Sequence, residues 1–177
     1  SCKRPLRIFY LQAEVQYHYL RERIQKLHLP QDVRHYFERN FMITSQIRLL
    51  LDERGIERIV QATRKKFTAG MPDIIAIDPI RNVFDSGAHP GGENDNDGMM
   101  YFLQERVETL RMRINPDAGI ILTHHTKKIS KKNVEEDPFQ ALSGAGSLRS
   151  YYTSGMLLFR PDEQKPERTL IFELRNG

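Results

Sequence analysis

Glu14, Asp78, His124 and His125 are the residues whose types and placement best suit chemistry. Each follows a short apolar run: Leu6–Leu11 before Glu14, Asp73–Ile77 before Asp78, and Ala118–Thr123 before the histidine pair. In open parallel α/β sheets, ligands bind outside the carboxyl ends of the strands. If these runs are neighbouring strands, a carboxylate, a second carboxylate and an imidazole converge on one crevice, and such groups suit divalent cations. Each also has an ordinary explanation. Asp78 precedes Pro79 and can cap a turn, Glu14 can sit in a helix's first turn where the dipole favours it, and the histidines can fill a strand end. Their shared placement at strand ends favours function.

The elements that must position them follow from periodicity. Leu6–Leu11 reads as a strand, and Tyr17, Leu20, Ile24 and Leu27 then recur at helical spacing until Leu29-Pro30. Gln31–Leu51 has no clear period beyond a brief strand at Phe41–Thr44. Helical spacing returns from Ile56 through Val60 and Thr63 to Phe67. Asp73–Asp78 is an almost continuous apolar run without alternation, the pattern of a strand buried on both faces. Residues 79–97 read as a long loop, with Asn96 or Asp97 capping the next helix. That helix carries a stripe of Met99, Leu103, Val107, Leu110 and Ile114. Ala118–Thr123 reads as another buried strand, and residues 126–146 as a second long loop. Tyr152–Arg160 and Arg168–Arg175 form a C-terminal antiparallel hairpin. Strands alternating with helices predict an α/β fold with a mainly parallel sheet flanked by helices.

The chain has 177 residues, enough for one domain spanning 1–177, and its 39% hydrophobic and 28% charged content fits a soluble globular protein. No apolar run approaches the roughly 20 residues of a membrane span, so no membrane partner is expected. The single cysteine, Cys2, excludes an internal disulfide and favours a reducing, cytoplasmic setting. A net charge of +4 weakly favours polyanions.

The ordered segments resemble the RecA-like ATPase core of RepA- and DnaB-type replicative helicases. Pro72–Asp78 looks like a Walker B strand. Tyr10–Glu14 resembles the strand end bearing a catalytic glutamate, Leu122–His125 is similar to a sensor strand with paired histidines, and Phe172–Gly177 resembles an Arg-Asn-Gly segment near the end of such cores. The resemblance implies ATP and Mg2+ as nucleotide and cofactor in the parent protein. Asp78 would hold the metal, Glu14 would activate the attacking water, and His124, or less favourably His125, would sense the γ-phosphate. Arg175 would act as an arginine finger towards a neighbouring subunit of a homo-oligomer, hexameric in such rings, and Arg149 could serve the subunit interface. The two long loops would face DNA, single-stranded in this reading, with Lys127, Lys128, Lys131 and Lys132 neutralising phosphates or only keeping the loop solvated.

The sequence departs from that family at one point. A phosphate loop of the form Gly-x4-Gly-Lys-Ser/Thr is required, and no glycine here is followed by lysine. The expectation is therefore a partial RecA-like domain, lacking the first strand and phosphate loop, with an open sheet edge and both ends cut from a longer piece. Two other classes compete: a metal-dependent phosphoesterase or nuclease using Asp78, Asp85, His89, Glu93, His124 and His125, and a non-catalytic nucleic-acid-binding module.

Overall fold

The computed structural model describes residues 4–44, 48–126, 137–142, 145–161 and 164–175. Lys127, Lys128, Lys131 and Lys132 lie outside them. In chain order the elements are β1 (Ile8–Gln12), α1 (Tyr17–Gln25), α2 (Gln31–Asn40), β2 (Phe41–Ile43), α3 (Glu53–Lys66) and β3 (Ile74–Asp78). There follow α4 (Asn96–Tyr101), a π-helical segment (Phe102–Val107), α5 (Glu108–Ile114), β4 (Gly119–Leu122), α6 (Ala145–Tyr151), β5 (Ser154–Phe159) and β6 (Thr169–Leu174). The fold is α/β. Four parallel strands form one sheet in the order β2-β1-β3-β4, and β5 and β6 form a separate antiparallel pair.

Strand alternation sends Phe9, Leu11, Ile75 and Ile77 to one face, where all four are fully buried. They join one core with Ile56, Ile59 and Val60 of α3 and with Met99, Phe102, Leu103, Val107, Leu110 and Ile114. Helix α3 is well specified. Asp52 caps it by accepting the Gly55 amide at 2.7 Å, and Arg64, Lys65 and Lys66 complement the dipole in its last turn. Gly55 is required by packing, because a Cβ there would lie 1.9 Å from the Leu50 carbonyl oxygen.

Several expectations need correction. The second face of the sheet is not fully buried: Ile74 and Ala76 are half-buried, and β4 alternates exposed and half-buried residues, with Ile121 52% exposed. Among the described residues β4 pairs only with β3, so it is an edge rather than a buried central strand. Of the stripe predicted on α1 only Leu20 is buried; Tyr17 and Leu27 are exposed. Helix α2 falls in the stretch read as having no clear period; it buries no residue fully, although Val33, Tyr36 and Phe37 stand at helical spacing. The cap of α4 is Asp95, accepting the Gly98 amide at 2.8 Å, rather than Asn96 or Asp97.

Residues 79–97 are not wholly a surface loop either. Ile80 and Val83 are fully buried in the core, and the Val83 carbonyl accepts the Leu51 amide at 2.8 Å. The second predicted loop contains a 3-10 turn at Pro138–Ala141 and the start of α6. No helix among the described residues is long and apolar enough to cross a membrane.

Candidate functional site at the carboxyl ends of three strands

The site begins with register. Gln12 pairs with Asp78, and Ile77 with Leu122, so β1, β3 and β4 end side by side. The ladder continues one step beyond the strands: the Ala13 amide donates to the Asp78 carbonyl at 2.8 Å, and the Thr123 amide to the Ile77 carbonyl at 3.0 Å. Glu14, Asp78 and His124-His125 therefore leave the same edge of one sheet.

Asp78 is held by two hydroxyls from the flanking strands. Tyr10 donates to one carboxylate oxygen and Thr123 to the other. Burial, then the hydrogen bond to Asp78, holds the Tyr10 phenol well above its usual range. Tyr10 thus remains a donor across ordinary pH, and its hydroxyl helps to orient the Asp78 carboxylate.

Glu14 is exposed, and its Oε1 lies 3.7 Å from His125 Nε2. The turn that carries Glu14 is fixed by Gln12, only 2% exposed. Its carboxamide donates to the Val15 carbonyl at 2.9 Å and to the Thr44 carbonyl at 3.3 Å, and accepts the Val15 amide at 2.9 Å. Asn82 donates to the Ala13 carbonyl at 2.9 Å. His124 has both ring nitrogens buried, so of the two histidines it is His125 that reaches Glu14.

No protein-family model and no curated protein matches this chain. Function is therefore read from the geometry of the strand ends.

The remaining candidates lie elsewhere. Arg175 donates to the carbonyls of Ser150 at 3.0 Å and Arg149 at 2.7 Å, capping α6. Arg149, the other candidate for an interface, bonds Asp137 at 2.8 Å and lies in a fork against Glu173, which also accepts from Tyr152. These carboxylates raise the Arg149 guanidinium pKa further above its usual range. Among the groups of the alternative metal site, Asp85 is paired with Arg106 at 2.7 Å and Glu93 with Arg81 at 3.1 Å, while the His89 ring stands 5.0 Å from that of Tyr101. Among the described residues no three His, Cys, Asp or Glu side chains form a group able to hold a metal.

Tyr10, Gln12, Asn82 and Thr123 complete the site, and none of them stands out in the sequence. Parity was the available signal, because Tyr10 and Gln12 share a face with Asp78 and Thr123 once the register is known.

Proposed function

We propose that this chain is the part of a RecA-like, ATP-hydrolysing DNA motor core that activates water and holds the metal, with the phosphate loop supplied by residues not in this sequence. The observation that carries the reading is the Glu14–His125 contact at the mouth of the strand ends that also present Asp78. It is supported by the parallel order of β1, β3 and β4, because such sheets bind ligands at their carboxyl edge.

In this reading each residue has one task. Asp78 offers hard oxygen donors, flanked by the Thr123 and Tyr10 hydroxyls, a set that fits Mg2+ held through water. Bound there, the ion would offset charge on the phosphoryl oxygens. Glu14 takes the proton from the water that attacks the terminal phosphorus of ATP, as the bond to the leaving ADP oxygen breaks. His125 stands beside the Glu14 carboxylate and would be the one of the pair to report on the phosphate. Arg175 can serve a neighbouring subunit only after releasing the Arg149 and Ser150 carbonyls. Single-stranded DNA and a hexameric ring belong to the same proposal.

The test is nucleotide binding by the chain extended through the codons that precede Ser1. A glycine–lysine phosphate loop there, with micromolar binding of a non-hydrolysable ATP analogue, is the expected result. An upstream frame without such a segment overturns the reading.

A further inference from the structure

At the opposite pole of the sheet lies a groove of about 370 Å³ lined by Arg4, Arg7, Tyr36, Arg39, Lys66 and the turn Thr68–Gly70. It forms where the chain enters β1, where α2 ends and where α3 ends. No carboxylate lines it among the described residues. The groove is built rather than incidental. Arg4 is spanned by Asp73 at 2.6 and 2.9 Å, and the same carboxylate accepts the Arg7 amide at 2.8 Å. The Arg7 guanidinium donates to the Ala69 carbonyl at 3.1 Å and lies against Gly70, whose φ is +131°. A Cβ at Gly70 would fall 1.7 Å from Arg7 Nη1, so glycine makes the space in which this cation is seated.

Asp73 pairs with Arg4 and its carboxylate also attracts Arg7. Arg39 and Lys66 remain as two cations with no carboxylate lining the groove beside them. Arg39 has no hydrogen-bond or ion-pair partner among the described residues, and Lys66 donates one hydrogen to the Glu38 carbonyl at 2.5 Å, leaving two. Tyr36, 54% exposed, presents its ring at the rim. Cations spread over three elements around an exposed aromatic ring match a phosphodiester backbone with a stacked base. We propose that this groove binds a single-stranded nucleic acid, with Arg7, Arg39 and Lys66 on the phosphates and Tyr36 stacking a base. The site is remote from Glu14 and Asp78 and is independent of the motor reading.

The experiment is fluorescence anisotropy of a labelled 20-nucleotide oligo-dT with the 177-residue chain, from low to moderate salt. R39E/K66E is expected to weaken binding at least tenfold, and to reduce the slope of log Kd against log salt by about 1.4, roughly 0.7 for each phosphate no longer neutralised. Y36A is expected to weaken it about fivefold or more. Both changes are at exposed positions, and the milder R39Q, with thermal melting as the folding check, is expected to weaken binding in the same direction. Unchanged affinity and slope in folded R39E/K66E would overturn the proposal. So would complete displacement of the strand by inorganic phosphate at constant ionic strength, which marks a site for a free anion. A charge-dependent association with phosphatidylserine vesicles, lost in R39E/K66E while oligo-dT binding is untouched, would overturn it as well.

Discussion

Glu14 and His125 meet across the end of a strand that belongs to neither of them. Glu14 follows β1 and His125 follows β4, β3 lies between, and Oε1 to Nε2 is 3.7 Å. Adjacent strands are about 4.8 Å apart, so the two side chains lean towards each other over a gap of roughly two strand spacings. Asp78 ends the strand they span, its carboxylate held there by Tyr10 and Thr123.

If Glu14 activates water, removing its basicity should abolish turnover without disturbing the fold, since the side chain is exposed. In an upstream-extended chain, if it hydrolyses ATP as proposed, E14Q is expected to lower kcat by about 10²–10⁴-fold, with little change in melting temperature or nucleotide affinity. H125A should lower kcat less, and E14Q/H125A should be no worse than E14Q alone. Independent, multiplying losses would show that the pair does not act together.

Asp78 itself separates orientation from charge. T123V removes one donor hydroxyl yet leaves the carboxylate on the same strand. If Asp78 holds Mg2+ in an ATP-hydrolysing protein, T123V is expected to raise the Mg2+ concentration needed for half-maximal turnover by about tenfold, the lower end of the range typical for outer-shell partners. D78N should remove the metal response altogether. A T123V protein with an unaltered magnesium profile would leave the hydroxyl clamp without a functional role.

Much of the scaffold was legible because β1 and β3 pair on both sides and are built from apolar runs that turns interrupt. The stripe from Met99 to Ile114 was legible for the same reason, as every member is buried. Helix α2 was missed although Val33, Tyr36 and Phe37 stand at helical spacing, because it is short, mostly polar and buries no residue fully. The site was legible to the level of strand ends. Its finer parts depend on register, which sequence does not display: that Tyr10 and Thr123 grip Asp78, and that His125 rather than His124 faces Glu14. Asp95 outcompetes Asn96 as a cap because capping geometry is settled by one residue's backbone, a resolution that composition lacks.

Acid stability should carry the signature of Asp73. Its carboxyl is held down to about 2 from an ordinary 3.8, first by the hydrogen bond from Arg4, with the Arg7 amide adding to it and burial opposing. A folded-state pKa below the unfolded one stabilises the fold above pH ~4, and that contribution is lost as pH falls through about 2. D73N is therefore expected to flatten the acid limb of the stability curve between those values and to lower Tm at pH 7 by roughly 2–4 °C. An acid limb identical to the parent's would place the titration elsewhere.

Gly70 offers a backbone test that is independent of charge. At φ +131° an L side chain is strained, and its Cβ would collide with Arg7. G70A is expected to cost about 1–3 kcal/mol of folding stability, read by urea denaturation, whereas A69G, one residue earlier, should cost much less. Equal effects at the two positions would mean that the turn tolerates a Cβ by moving.

The C-terminal hairpin exposes more apolar surface than an isolated strand pair can keep in water at no cost. Met156 faces Phe172 in the register and Leu158 faces Leu170, and all four are at least 45% exposed, as is Leu174 at 58%. The opposite face is covered, with Leu157 3% exposed. A contiguous apolar patch of this kind drives association, and β4 adds an edge unpaired among the described residues. The 177-residue chain is therefore expected to self-associate reversibly, with a sedimentation coefficient that rises over tens to hundreds of micromolar. M156K/F172K, placing two charges on one cross-strand pair of that face, should hold it monomeric across the same range while preserving Tm, because both side chains lie outside the core. A parent chain that sediments as a monomer at every concentration would show that the face does not drive association. A double variant that associates as strongly as the parent would shift the contact from the hairpin to the β4 edge, where I121K would then be the decisive change.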